Sequence, residues 1–187
     1  EDDRIAIVTY ASNAGLVLDS TSGQDRAAIL SAVNNLNAGG STNGEAGIRL
    51  AYRTAIEHFI KNGTNRIILC TDGDFNVGVS NDNELVQMVK KHARSQVYLS
   101  ILGFGMGNLK DGRLEQIADK GNGHYGYIDS IDEAKKVFGE ELTGTLYTIA
   151  QDVKVQVEFN PGRVGAWRLI GYENRSLADR DFTDDTK

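Results

Sequence analysis

Arg66-Ile67-Ile68-Leu69-Cys70-Thr71-Asp72-Gly73-Asp74 is the stretch on which the fold turns. From Ile67 to Cys70 no polar side chain interrupts, and the run then gives way at once to aspartate and glycine. A strand solvated on one face alternates apolar with polar residues, whereas a strand covered on both faces has no need to. The run therefore predicts a buried strand of a mostly parallel sheet, with a loop carrying Asp72 at its carboxyl end.

Working outward, helical periodicity appears on both sides. Ile48, Ala51, Tyr52, Ala55, Ile56 and Phe59 share one face of a helix over 45–60, and Ala28, Ile29, Ala32, Val33 and Leu36 do the same over 25–36. Gly39-Gly40 and Gly63 are stop signals. Two β-rich runs, Ile5 to Tyr10 and Gly15 to Leu18, flank the turn residues Ser12-Asn13-Ala14 and read as neighbouring strands. Downstream, a helix near 83–94, a strand over 97–102, a short helix with Leu114, Ile117 and Ala118, and a strand over 124–128 continue the alternation. Ser130 with Glu133 forms a capping box for a further helix with Ala134, Val137, Phe138, Leu142 and Leu146 along one side. Repeated strand–helix units predict an α/β, Rossmann-like doubly wound sheet.

After Ile149 the pattern changes. Val153, Val155, Val157 and Phe159 alternate with polar residues, Asn160-Pro161-Gly162 signals a turn, and Trp167, Leu169 and Ile170 follow. This predicts a β-hairpin appendage, so the chain divides into an α/β domain over 1–149 and the start of a β-rich extension over 150–187.

Composition narrows the function. Of 187 residues, 40% are hydrophobic and 25% charged, an ordinary globular balance. The net charge of −6, with scattered Lys and Arg, argues against nucleic acid. No apolar run approaches a membrane span. The one cysteine, Cys70, lies within the apolar strand and is expected to be a buried small hydrophobe rather than a nucleophile.

Ligands of doubly wound sheets bind beyond the carboxyl ends of the strands. That rule selects Gly39-Gly40-Ser41-Thr42-Asn43-Gly44 and Thr71-Asp72-Gly73-Asp74. A hydroxyl and a carboxylate on adjacent loops are hard oxygen donors suited to Mg²⁺ or Mn²⁺. The first stretch resembles the threonine loop of von Willebrand factor A domains, and Leu69-Cys70-Thr71-Asp72-Gly73 resembles their aspartate-bearing fourth strand. Arg4 to Ala11 resembles the second strand, and Ser100 to Gly105 the fifth strand and its loop. The likeness runs over residues 4–149 and is nearest to bacterial members, some of which carry a comparable tail. It implies that Thr42 and Asp72 contribute to a metal-ion-dependent adhesion site at which a protein partner offers a carboxylate. Ser41, Asp74 and Asn76 are candidates for hydrogen-bonding the ligands from outside. A bacterial cell-envelope protein is the setting the resemblance suggests.

One departure is large. The family's first, central strand carries Asp-x-Ser-x-Ser and supplies three donors, and this sequence contains no such motif. The metal site is thus expected to be at best half built, and any Mg²⁺ or Mn²⁺ weakly held. The sheet is expected to have a gap, to be filled by a partner chain, a second copy exchanging a strand, or a rearranged sheet, failing which the fold would be unstable.

Plainer readings compete. Ser41 or Thr42 could simply cap the helix that follows, and Asp72-Gly73-Asp74 could be an ordinary turn. Asp72 and Asp74 also invite a Mg²⁺-dependent phosphohydrolase of haloacid dehalogenase type, but Phe75 and Asn76 stand where that chemistry needs a hydroxyl. Gly103-Phe104-Gly105-Met106-Gly107 misses dinucleotide-loop spacing at Asn108. His58, His92 and His124 share no zinc spacing, and Ser12, Ser41 and Ser100 lack a nucleophile turn. The expected function is a metal-assisted protein-binding module and not an enzyme, with a metal-free scaffold as the remaining alternative.

Overall fold

The computed structural model describes residues 2–10, 14–37, 39, 43–72, 82–105, 111–141, 144, 153–168 and 170. Two compact units divide the chain, residues 1–147 and 148–187. The first contains strands β1 (Arg4–Tyr10) and β2 (Ala14–Ser22), helices α1 (Arg26–Asn34) and α2 (Gly44–Glu57), strand β3 (Asn65–Thr71), helix α3 (Asp82–Arg94), strand β4 (Val97–Phe104), helix α4 (Asp111–Lys120), strand β5 (Tyr125–Ile128) and helix α5 (Ile131–Lys135). A π-helical segment, Lys136–Glu141, continues α5. The later part of the expected helical stripe, from Leu142 on, lies outside the described residues.

Local chemistry sets the element ends. Asp25 accepts a hydrogen bond from the Ala28 amide at 3.1 Å and caps α1, while Ser130 accepts from the Glu133 amide at 3.2 Å and caps α5. Asn43 caps α2, its side chain accepting from the Ala46 amide at 3.3 Å. The capping expected of Ser41 or Thr42 thus belongs to the next residue. After α2, the buried Asn65 side chain accepts from the Ile60 amide and donates to the Ile60 carbonyl, both at 2.9 Å, and so ties the turn to the start of β3.

β3, β4 and β5 form a parallel sheet in which Ile67 lies opposite Leu99 and Ile101 opposite Tyr125. Ile48 and Tyr52 of α2, Leu85 and Val89 of α3, and Leu114 and Ile117 of α4 close over Leu69, Leu99 and Ile101 on one face. Each such side chain taken wholly from water contributes about 1.5–3 kcal/mol, so this layer dominates the stability of the unit. Gly123 is required where it stands, because a Cβ there would lie 1.8 Å from the Leu99 carbonyl oxygen.

β1 and β2 form a separate antiparallel pair, with register irregularities between Ile5 and Val8. The sheet is therefore broken between β1 and β3: among the described residues, neither strand has a ladder partner on its second edge. α2 packs against both sheets. The break leaves Ile5 of β1 and Ile68 of β3 about 40% exposed. Cys70 is exposed as well, correcting the expectation of burial, since its face of β3 lies opposite the helical layer. The surrounding chain still pushes its thiol up, against a role as a nucleophile.

In the second unit the chain reverses at Asn160-Pro161-Gly162, where the Asn160 carbonyl accepts from the amides of Arg163 and Val164, both at 3.0 Å. Phe159 and Trp167 pack across the turn with ring centroids 5.5 Å apart. The expected strand ladder is absent among the described residues, and Val153, Val155 and Val157 are exposed. A lone hairpin without a covered face is marginal in water, which accounts for a turn without a ladder.

Candidate functional site

The site grows from the carboxyl end of β3. Thr71 is buried, and the next residue, Asp72, is exposed where the strand gives out. β4 ends beside it: Gly105 adopts φ +111°, a conformation that favours glycine, and its Cβ position would lie 3.8 Å from the Asp72 carbonyl oxygen. The Tyr127 hydroxyl donates to the Gly105 carbonyl, and the Gly105 amide donates to that of Ile128 at 3.3 Å. The β4 exit is thus held by β5.

On the other side of the break, Tyr10 ends β1 and its hydroxyl donates to the Cys70 carbonyl. Burial pushes that hydroxyl above the ordinary tyrosine range, opposed by a hydrogen bond with Thr71 and reinforced by Cys70 and Asp72. The ring fits under the first turn of α2 because residue 47 is glycine: a Cβ on Gly47 would lie 2.5 Å from the Tyr10 Cβ. Tyr10 therefore joins three things, the end of β1, the start of α2 just after Asn43, and the end of β3 just before Asp72. Sequence reading missed it, since it scans as one more strand residue; the signal available was a glycine on a helix's buried face.

Of the expected site residues, Asp72 stands at the predicted strand end. Ser41, Thr42, Asp74 and Asn76 lie outside the described residues. No group of three or more His, Cys, Asp or Glu side chains able to hold a metal occurs among the described residues. His58 instead meets Asp19 at 3.0 Å on an exposed surface. The Ser100 hydroxyl accepts from Arg66 Nη1 at 2.7 Å and from the His124 amide at 3.2 Å, which occupies it structurally.

Residues 1–140 match the von Willebrand factor type A domain. The chain belongs to that family. Residues 144–187 match a second family, described as the C-terminal part of the uncharacterized protein YfbK. The uncharacterized protein YfbK of Escherichia coli K12 is 50% identical over 185 residues, 99% of this chain and 32% of its own length. The uncharacterized protein sll0103 of Synechocystis is 27% identical over 138 residues, 74% of this chain and 32% of its own. The chain thus spans about a third of the curated relatives it matches. Among solved structures, a von Willebrand factor type A protein from Catenulispora acidiphila superposes with a TM-score of 0.62 at 22% identity, covering 76% of this chain and 34% of that one. Proximal thread matrix protein 1 from the mussel byssus, with a zinc-occupied MIDAS motif, gives a TM-score of 0.54 at 25% identity over 72% of this chain and 32% of that one. These place the α/β fold and the mostly parallel sheet within the family.

The donor set of this chain does not by itself fit the family's metal. Asp72 is the expected donor that the described residues place at the end of β3, and three further donors belong to Asp-x-Ser-x-Ser, which this sequence lacks. A divalent ion held by one or two protein oxygens keeps most of its water and is weakly bound.

Proposed function

We propose that this chain forms a protein-interaction module whose partner docks over the carboxyl ends of β3 and β4. In this reading a Mg²⁺ or Mn²⁺ ion joins the contact only when a strand bearing Asp-x-Ser-x-Ser occupies the break in the sheet. The observation that carries it is the position of that break: the unpaired edges of β1 and β3 lie beside Asp72, and Tyr10 spans them. A strand placed there would bring its serines and aspartate next to Asp72, with Thr42 one residue before the cap of α2. The zinc-occupied motif of the mussel protein supports the same chemistry by kinship. A second copy of this chain exchanging a strand would close the break without supplying Asp-x-Ser-x-Ser, and so without the metal; a bacterial cell-envelope setting completes the proposal.

The test joins an Asp-x-Ser-x-Ser strand to the amino terminus and titrates Mn²⁺ by calorimetry. Saturable binding is expected, lost in Asp72→Ala and weakened in Thr42→Ala, with no binding by the chain alone. Equal binding with and without Asp72 would overturn the metal reading and leave a metal-free scaffold.

A further inference from the structure

α2 and α3 run side by side, and their contacts advance together along both helices. Arg49 Nη1 donates to Met88 Sδ at 3.5 Å, and one turn further on the Tyr52 ring stacks on His92 with centroids 4.5 Å apart and planes 23° apart. Between the two helices lies an open groove of about 740 Å³.

Three features of the groove point to an acidic occupant. Its rim is cationic although the protein carries a net charge of −6. Glu45 holds Arg49 at 2.7 Å, whereas Arg53 and Lys91 are exposed and have no carboxylate partner among the described residues. Against these two cations the lining holds one acid, Glu57, which leaves one positive charge in excess. Its lining includes two apolar side chains, Met88 and the exposed Ile56, and methionine is the side chain most able to re-pack against an incoming chain. Finally, Tyr52 lines the groove and is 1% exposed, and its hydroxyl is buried without a hydrogen-bond partner. A phenol buried without an acceptor costs about 1–3 kcal/mol, which a partner's oxygen would recover.

We propose that the α2–α3 groove is a second docking site, for an acidic peptide segment of a partner protein, with Arg53 and Lys91 engaging its carboxylates and Met88 and Ile56 its apolar side chains. The buried Tyr52 hydroxyl becomes a further donor where docking shifts the side chains that cover it. Burial holds this hydroxyl far above the ordinary tyrosine range, so it remains a donor at any physiological pH. Apolar side chains with charged edges are the usual anatomy of a peptide groove between helices. The site is independent of the metal edge, because it requires neither Asp72 nor any strand in the break.

The test uses residues 1–187 and a fluorescein-labelled peptide alternating glutamate pairs with leucine, read by anisotropy, with its glutamine analogue as control. Saturable binding is expected, weaker by tenfold or more for the glutamine analogue and for Arg53→Glu/Lys91→Glu, whose exposed positions leave the fold intact by circular dichroism. Tyr52→Phe is expected to weaken binding several-fold while leaving thermal stability unchanged or higher. Absence of binding, equal binding by the charge-reversed variant, or displacement by equimolar inorganic phosphate would overturn the proposal, the last by assigning the groove to a small anion.

Discussion

Replacing Gly47 by alanine tests how the broken sheet is held together. Alanine is the better helix former, by up to about 1 kcal/mol, and on an exposed face it would stabilise α2. Here the new methyl would lie 2.5 Å from the Tyr10 Cβ and 3.0 Å from its Cγ, and neither atom is the free end of a flexible chain. Overpacking of this kind costs about 1–3 kcal/mol, so the net loss is up to about 2 kcal/mol. At that upper figure the Tm of a domain this size drops by roughly 4–8 °C. The decisive comparison is the same substitution in a Tyr10→Ala background. There the obstacle is gone, the sign should reverse, and Gly47→Ala should raise the Tm or leave it unchanged. Differential scanning calorimetry on the four proteins gives the coupling directly. If Gly47→Ala has the same effect in both backgrounds, Tyr10 is not seated under α2, and the link from β1 to Asp72 fails with it.

Three further outcomes are expected. Burial first, and then neighbouring Lys91, hold the His92 imidazole below its ordinary range. Its contribution is therefore complete above the unfolded value and is lost as pH falls from about 6.5 downward; urea midpoints at pH 7.5 and 5.5 should lie further apart in the wild type than in His92→Gln. With β1 and β3 both unpaired on one edge, the chain alone should self-associate with concentration in sedimentation velocity, and joining a strand to its amino terminus should render it monomeric; a monomer in both cases would remove the argument for an occupant of the break. Incubation with Mg²⁺ and a generic aryl phosphate should give no turnover, and steady hydrolysis abolished by Asp72→Ala would replace the interaction module with a phosphohydrolase.

Much of the α/β unit was legible because its signals are periodic and local. The apolar run before Asp72 and the three-and-four spacing around Tyr52 are each sufficient to name an element, and both elements form as read. The resemblance then fixed where Asp72 had to lie. What escaped were relations between distant residues. Nothing in Ile67 to Cys70 says whether a neighbouring strand is present, so Cys70 was read as buried when its side chain is exposed. Asn65 gives no local signal of its role, although its amide ties together the backbone of Ile60 and Gly63. Tyr10 and Gly47 lie far apart in sequence and reveal their partnership only through the space a missing Cβ leaves. In the tail, alternation predicts strands that do not form among the described residues, because the tendency needs a covered face before a ladder forms.

The division of the sheet also bears on how the molecule moves. β4 sits between two hydrogen-bonded neighbours beneath three helices, so its amides should open to solvent only when the whole unit does. β1 and β2 have no such enclosure, and chiefly α2 and one tyrosine hydroxyl attach them to the rest. Their amides should exchange on a separate and faster clock. The pair then behaves as a flap on the edge of a rigid block, and whatever strand enters beside it would act as the latch.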